Sequence, residues 1–427
     1  MKILIISHTC FSTYNNMGKT FLSLFSSFGK EELCQLYIYP SLPDVDVCSA
    51  YYRVTDKDVL KSLLTLGRPG GPLEPEGLAF GKPAPLENPE DAVLYRNKRN
   101  STGAVRLMRD AMWKLGRWYT PALRQWVEQQ KPDCIFLAPG YAEFIYDIAL
   151  KISREHALPI VTYLCDDYYF VREPKDLPGR WQLSRLQKKT DALMERMDSL
   201  ITICEEMKTA YTRRFPVPAQ VIMTGYDRER PERKVVPGED RVITYFGNLS
   251  LNRDDALAEI GQALDRINTT SGTDWRLELY TPPMEEQTRK KFAEILCVHM
   301  KGFVTGEAFD RAVSGSDLLL HVEAFDEETA DLVKHSVSTK IADSLASGIP
   351  LLAYGPPDVA SMAHLIRHGC AFTAAEPAEL EQVLYAALTD VQARTAVLDN
   401  AARTARSCHN RERNSLMLRH IFEELHE

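Results

Sequence analysis

The sequence has no Cys-x-x-Cys pair, although nine cysteines are scattered along its 427 residues, at 10, 34, 48, 134, 165, 204, 297, 370 and 408. Without paired spacing they form neither a zinc ribbon nor a legible disulfide framework, and they read as reduced thiols, mostly in the core. Long apolar runs are missing too. The N-terminal MKILIISHTC has four apolar residues in a row before Ser7 and His8, too few for a signal-peptide core. No later segment approaches the ~18 apolar residues of a membrane span. The expectation is a cytoplasmic protein that does not cross a membrane. Excess positive charge is absent as well: the net charge is -8, so the chain as a whole has no electrostatic pull toward nucleic acid.

The 44% hydrophobic and 26% charged residues are those of a globular protein long enough for two cores. Short Ile, Val and Leu runs recur at 2–7, 35–39, 133–138, 159–164 and 199–203, and helical patterns occupy 17–28, 104–130, 141–156 and 181–197. Strand and helix in alternation predict a mostly parallel α/β sheet covered on both faces. Residues 227–240, DRERPERKVVPGED, have linker composition. The alternation then restarts, with strands at 241–247, 276–280, 317–322 and 350–354 and helices at 254–268, 285–296, 339–347 and 377–405. The predicted division is 1–226, a linker at 227–240, a second α/β unit at 241–405, and a C-terminal helix at 406–427 packing back on the first unit. Ligands in such folds bind beyond the carboxyl ends of the strands, so two facing units would make an interdomain cleft.

Residues 66–100 are rich in Pro and Gly and predict a long surface loop. The stretch 96–124 then interleaves Arg96, Lys98, Arg99, Arg106, Arg109, Lys114, Arg117 and Arg124 with Trp113, Trp118 and Tyr119. It reads as a peripheral contact with anionic lipid or a phosphorylated acceptor, or else as an amphipathic helix with a solvated basic face and buried tryptophans. His364 and His368 stand at i, i+4, but no third ligand is evident, so a metal site is not expected. Asp44 and Asp46 form a DxD that reads as loop chemistry. Gly18-Lys19-Thr20 imitates the end of a P-loop, yet Thr13 stands where the first glycine belongs. Gly18 remains as a point of close backbone approach after the first strand.

The second unit opens similarly. YFGNLSLNRDD (245–255) is a strand, Gly247, a polar turn and a helix, with Arg253 placed to meet a phosphate. VSTKIADSLASGIPLLAYG (337–355) starts another helix with Ser338, Thr339, Lys340 and Asp343. Ordinary helix-start chemistry accommodates these residues. The same residues would also let two helix mouths clamp a diphosphate while Asp343 accepts ribose hydroxyls.

Several stretches, in order, resemble GT-B glycosyltransferases of family 4. SLITICEEMKTAYTRRF (199–215) and IMTGYD (222–227) are similar to the end of that family's first domain, with Cys204-Glu205 and Thr224-Gly225-Tyr226-Asp227 at its Ser-Glu and Asn-Gly-Val-Asp positions. Gly247-Asn248-Leu249 with Arg253 takes the place of Gly-Arg-Leu and a following Lys. DSLASGIP (343–350) matches the second half of the closing motif, with Asp343 for its second Glu and His335 at the place of its first. Glu323 precedes an acidic loop, AFDEETAD.

The resemblance implies a GT-B fold, two facing Rossmann-like domains with an acceptor-binding first domain. It implies a metal-independent transferase with no cofactor, moving sugar from a nucleotide-diphosphate donor to a glycan or lipid-linked acceptor in surface polysaccharide assembly, with retained configuration. Gly18, Gly247, Asn248, Arg253, Glu323, His335, Ser338, Thr339, Lys340 and Asp343 would hold the donor. Arg253 and Lys340 would stabilise the leaving diphosphate, and Asp166 or Asp167 would meet the acceptor hydroxyl unless the pair merely caps a helix. A GT-B sugar-nucleotide epimerase and a noncatalytic nucleotide-sugar-binding homologue are the alternatives.

Overall fold

A computed structural model describes residues 1–64, 69–73, 78, 80–81, 102–226, 228 and 232–426. Almost all of the expected loop at 66–100, the bases Arg96, Lys98 and Arg99, and Asp227 lie outside the described residues. The chain divides into two compact units, 1–223 with 411–427, and 224–410.

In the first unit the strands are β1 (Ile3–Ser7), β2 (Leu33–Tyr37), β3 (Ala50–Arg53), β4 (Gly71–Pro72), β5 (Cys134–Leu137), β6 (Ile160–Leu164), β7 (Ser199–Thr202) and β8 (Ala219–Val221). Their order is β4-β3-β2-β1-β5-β6-β7-β8, parallel except for β4, which runs antiparallel to β3. Ile3 pairs with Leu33 on one side and Cys134 on the other, which makes β1 a central strand and explains why every residue of it is buried. The final helix, Arg411–Glu424, belongs to this unit: Arg419 forks onto Glu32 at 2.9 Å through both terminal nitrogens, and Arg411 donates to the Leu22 carbonyl at 2.8 Å.

The second unit holds β9 (Val242–Phe246), β10 (Arg276–Tyr280), β11 (Val298–Met300), β12 (Leu318–Val322), β13 (Leu351–Tyr354) and β14 (Phe372–Ala374), in the order β11-β10-β9-β12-β13-β14. Its central strands β9, β12 and β13 are buried along nearly their whole length because alternate residues feed separate cores. Ile243, Leu277, Leu320 and Leu352 pack with helices Arg253–Ser271 and Leu380–Thr389. Leu319, Leu351 and Ala353 pack on the opposite face with Ile341, Leu345, Leu365 and Ala401.

Two expected helices are each broken in two. The pattern at 104–130 yields Gly103–Leu115 and Pro121–Gln130, because Thr120 caps the Leu123 amide and Pro121 takes the first helical position. The pattern at 377–405 breaks at Asp390, whose carboxylate caps Ala393. The expected linker is also corrected over its described part, since 233–240 is fastened to the second unit. Buried Arg394 donates to the carbonyls of Lys234, Val235, Asp317 and Ala387, and the Asp317 carboxylate accepts from the amides of Gly238 and Val242.

Of the two readings of 96–124, Trp113 follows the amphipathic-helix one. Trp113 is fully buried, stacks on Phe144 at 4.1 Å and donates to Asp56, while Arg109 pairs with the same carboxylate. Among the described residues no helix is long and apolar enough to cross a membrane.

Candidate functional site

In the second unit the crossovers from β9 and from β12 lead to opposite sides of the sheet, so the gap between these adjacent strands is its topological switch point, where open α/β sheets leave a crevice. A cavity of about 170 Å³ lies there, and Tyr245, Arg253, His321, Glu323, Ser338, Thr339 and Lys340 are in its lining.

Each side chain is placed by its element. Arg253 is the first residue of helix Arg253–Ser271. The turn before it puts Leu251 and Asn252 in the left-handed region (φ 63° and 53°), and the Asn252 amide ties this turn to Asp326 and Thr329. Arg253 Nη2 donates to Glu323 at 2.9 Å and Nε to the Val322 carbonyl at 3.2 Å. Buried Glu323 therefore orients Arg253, and Ser361 donates to its other oxygen at 3.3 Å. Lys340 begins the short helix Lys340–Leu345, which Ile341 and Leu345 anchor in the core. A Cβ on Gly247 would lie 2.8 Å from Tyr245 Oη and 3.3 Å from Lys340 Nζ, so the glycine's missing side chain is the space these two groups use. Lys340 is exposed as a residue, but desolvation of its ammonium against the cavity wall, then the nearby Arg253 charge, hold it below the ordinary lysine range, and Glu323 offsets part of this.

Two cations against one carboxylate leave this cavity net positive. A third group keeps it from being a simple ion pair. Buried His321, at the end of β12, is pulled down to about 4 by desolvation, and its Nε2 makes no hydrogen bond with any described residue, 3.4 Å from Glu323. It is a neutral imidazole whose polar atom lacks a partner, which a bound ligand would supply.

The structure brings together Arg253, Lys340, Gly247, Ser338, Thr339 and Glu323. Asn248 is exposed just outside, its carbonyl accepting from Tyr245. Half-buried His335 and exposed Asp343 are not among the lining residues, and Ser344 is. Thr339, which precedes the helix, has helical φ and ψ and makes no side-chain cap, so end-capping does not account for its hydroxyl. Sequence reading missed His321 and Tyr245. Each sits near the end of a predicted strand, where alternation assigns it to a face but gives no sign that a strand end opens on a cavity.

Gly18, the DxD and the Asp166–Asp167 pair lie in the first unit, and His364 lies in the second. Gly18 is in the helix after β1, where a Cβ would come within 2.5 Å of the Ser12 amide, so packing on that loop accounts for the glycine. Asp44 accepts from the Thr13 amide at 2.8 Å and from the Ser12 hydroxyl, while Asp46 pairs with Lys30. This DxD holds a loop. Asp167 accepts from the amides of Tyr169 and Phe170 and from Tyr211 Oη, which is turn-capping chemistry, and Asp166 beside it is exposed. His364, the first of the i, i+4 pair, is bonded to His409 at 3.0 Å.

No protein-family model matches the sequence, and no curated protein is similar to it. Solved structures are similar along the whole chain. Sucrose-phosphate synthase from Thermosynechococcus elongatus superposes with a TM-score of 0.62 at 11% identity, over 100% of this chain and 99% of that one. HepE from Anabaena, in complex with UDP-glucose, gives 0.59 at 13% over 99% and 100%, and trehalose-phosphate synthase from Burkholderia xenovorans gives 0.56 at 12% over 100% of both. The fold is GT-B. A GT-B chain has two Rossmann-like units, and here the switch-point cavity belongs to the second of them.

Proposed function

We propose that the protein is a glycosyltransferase that moves a sugar from a nucleotide-diphosphate donor held in the second unit to a glycan or lipid-linked acceptor, with retained configuration. The supporting observation is the net-positive cavity at the β9/β12 switch point, where Arg253 and Lys340 meet Ser338, Thr339 and an unsatisfied His321. HepE, of the same fold, was solved with UDP and with UDP-glucose, and the Burkholderia synthase with glucose-6-phosphate.

Charge that develops on the departing diphosphate would be met by fixed donors. Arg253 has spent two of its N–H groups on Glu323 and Val322, and the others are available for phosphate oxygens. An anion beside Lys340 would also offset the desolvation of its ammonium. These cations would supply the electrostatic stabilisation that a divalent metal supplies elsewhere, so the reaction is proposed to run without one.

The test is a thermal-shift screen against UDP-, GDP- and CDP-sugars, followed by radiolabelled transfer with the donor that stabilises the protein. One donor class is expected to raise Tm, and Arg253→Ala and Lys340→Ala should each weaken its binding by roughly tenfold or more, about 1.4 kcal/mol. Unchanged affinity in both variants would sink the diphosphate clamp. Binding with neither transfer nor donor hydrolysis would make the protein a noncatalytic nucleotide-sugar binder.

A further inference from the structure

A second cavity, of about 300 Å³, lies wholly in the first unit and is lined by side chains of three helices, Gly103–Leu115, Glu143–His156 and Leu177–Met194. Its lining falls into satisfied and unsatisfied parts. Glu143, buried at 3% exposure, takes a two-pronged bond from Arg185 at 2.7 Å through each nitrogen, and Asp147 is paired with Lys189. Asp110, 4% exposed, spends Oδ1 on the Glu143 amide at 3.1 Å, while its buried Oδ2 bonds to no described residue. An unsatisfied carboxyl oxygen costs about 1–3 kcal/mol, a penalty that a hydroxyl bound in this cavity would relieve. Lys114 and Lys188 pair with no carboxylate among the described residues. With the two ion pairs self-cancelling, they give the cavity an excess of positive charge.

The fourth component is aromatic. Trp181 is 60% exposed although it belongs to the lining, and the Arg185 guanidinium lies over its ring at 5.4 Å. An exposed indole backed by a fixed guanidinium is an apolar platform with a polar edge.

An anion alone would use the lysines but neither the platform nor Asp110. A neutral sugar would use the platform and Asp110 but leave the lysines idle. One ligand class uses all three. We propose that this cavity binds a pyranose carrying an anionic substituent, carboxylate or phosphate, with the ring on Trp181, a hydroxyl on Asp110 and the anion between Lys114 and Lys188. Burial and the neighbouring Glu143 raise the Asp110 carboxyl to about 7, so near neutrality it can donate to a sugar oxygen as well as accept from one. The site shares no lining residue with the donor cavity, and each of its own is in the first unit. It would give a glycan acceptor an acidic-residue preference, a role that rests on the transferase reading, whereas the binding itself does not.

The test is calorimetric titration of the full chain, without nucleotide, with glucuronate, galacturonate, glucose 6-phosphate, galactose 6-phosphate, glucose, galactose and inorganic phosphate. At least one acidic sugar should bind ten times or more tighter than its neutral parent and than phosphate. Trp181→Ala and the Lys114→Ala/Lys188→Ala pair should each weaken it at least tenfold. These side chains are exposed, so the variants are expected to keep the wild-type Tm. A uronate that binds while both sugar phosphates fail identifies the anion as carboxylate, and the reverse identifies phosphate. The proposal is overturned if no acidic sugar binds, if neutral sugar or phosphate binds equally well, or if the variants bind like wild type. Because the donor is read separately by thermal shift, failure here leaves the nucleotide-sugar reading standing.

Discussion

Gly247 shows what a single position can carry. Its sequence signal is only a glycine at a strand-to-helix turn, yet in the fold the missing Cβ is the space shared by Tyr245 Oη and Lys340 Nζ. Gly247→Ala should push Lys340 aside and strain the Tyr245 bond to the Asn248 carbonyl, lowering donor affinity by roughly tenfold, about 1.4 kcal/mol. Gly315→Ala, where a new Cβ meets nothing within 4 Å, is the control and should leave affinity unchanged. Equal affinities for the two variants and wild type would remove Gly247 from the site. At this scale the cations were legible, because Arg253 and Lys340 sit at helix starts that the sequence marks. His321 was not, since a histidine inside an apolar strand looks the same whether its ring is satisfied or left facing a cavity. Asp44 and Asp167 show the converse case: loop amides and hydroxyls take up both carboxylates, as the loop reading of the DxD and the capping reading of the Asp pair expect.

Among elements, the central strands were legible because they are buried on both faces and therefore continuously apolar: β1, β5, β6, β7, β9, β12 and β13 all fall within predicted runs. The edge strands β4, β8, β11 and β14, two or three residues each, carry too little pattern to be read. Helix breaks hid for another reason. Apolar spacing continues across 116–120 and the interruption is written in capping chemistry, the Thr120 hydroxyl accepting from the Leu123 amide at 3.1 Å. Thr120 is buried, so Thr120→Ala should cost about 1 kcal/mol of unfolding free energy and Thr120→Ser much less, as read by urea denaturation, with donor affinity unaltered. A Thr120→Ala variant as stable as wild type would mean that Pro121 alone sets the break.

For the molecule as a whole, buried titratable groups set a pH profile that no local pattern reveals. Burial holds His321 and His409 at about 4 and His364 at about 3, against the ordinary 6.5. The last two form a chain with a fixed tautomer: His409 Nδ1 donates to the Thr224 carbonyl, so its neutral Nε2 must accept from His364 Nε2. Between about 6.5 and 4 the unfolded chain binds protons at these rings that the folded protein refuses. Stability is therefore lost as pH falls, by up to about 1.4 kcal/mol per pH unit for each ring. Asp110 has the opposite sign. Raised from 3.8 to about 7, it keeps a proton that the unfolded chain has released, so its contribution is lost as pH rises through that window. Three rings against one carboxyl give a net positive slope, and Tm should climb from pH 4.5 to about 6.5 and then flatten. Asp110→Asn removes the opposing term, so it should steepen the acid limb and raise Tm relative to wild type more at pH 8 than at pH 5. A wild-type Tm higher at pH 5 than at pH 7 would show that these rings are not held neutral, and with them would go the reading of His321 as an uncharged group waiting for a ligand.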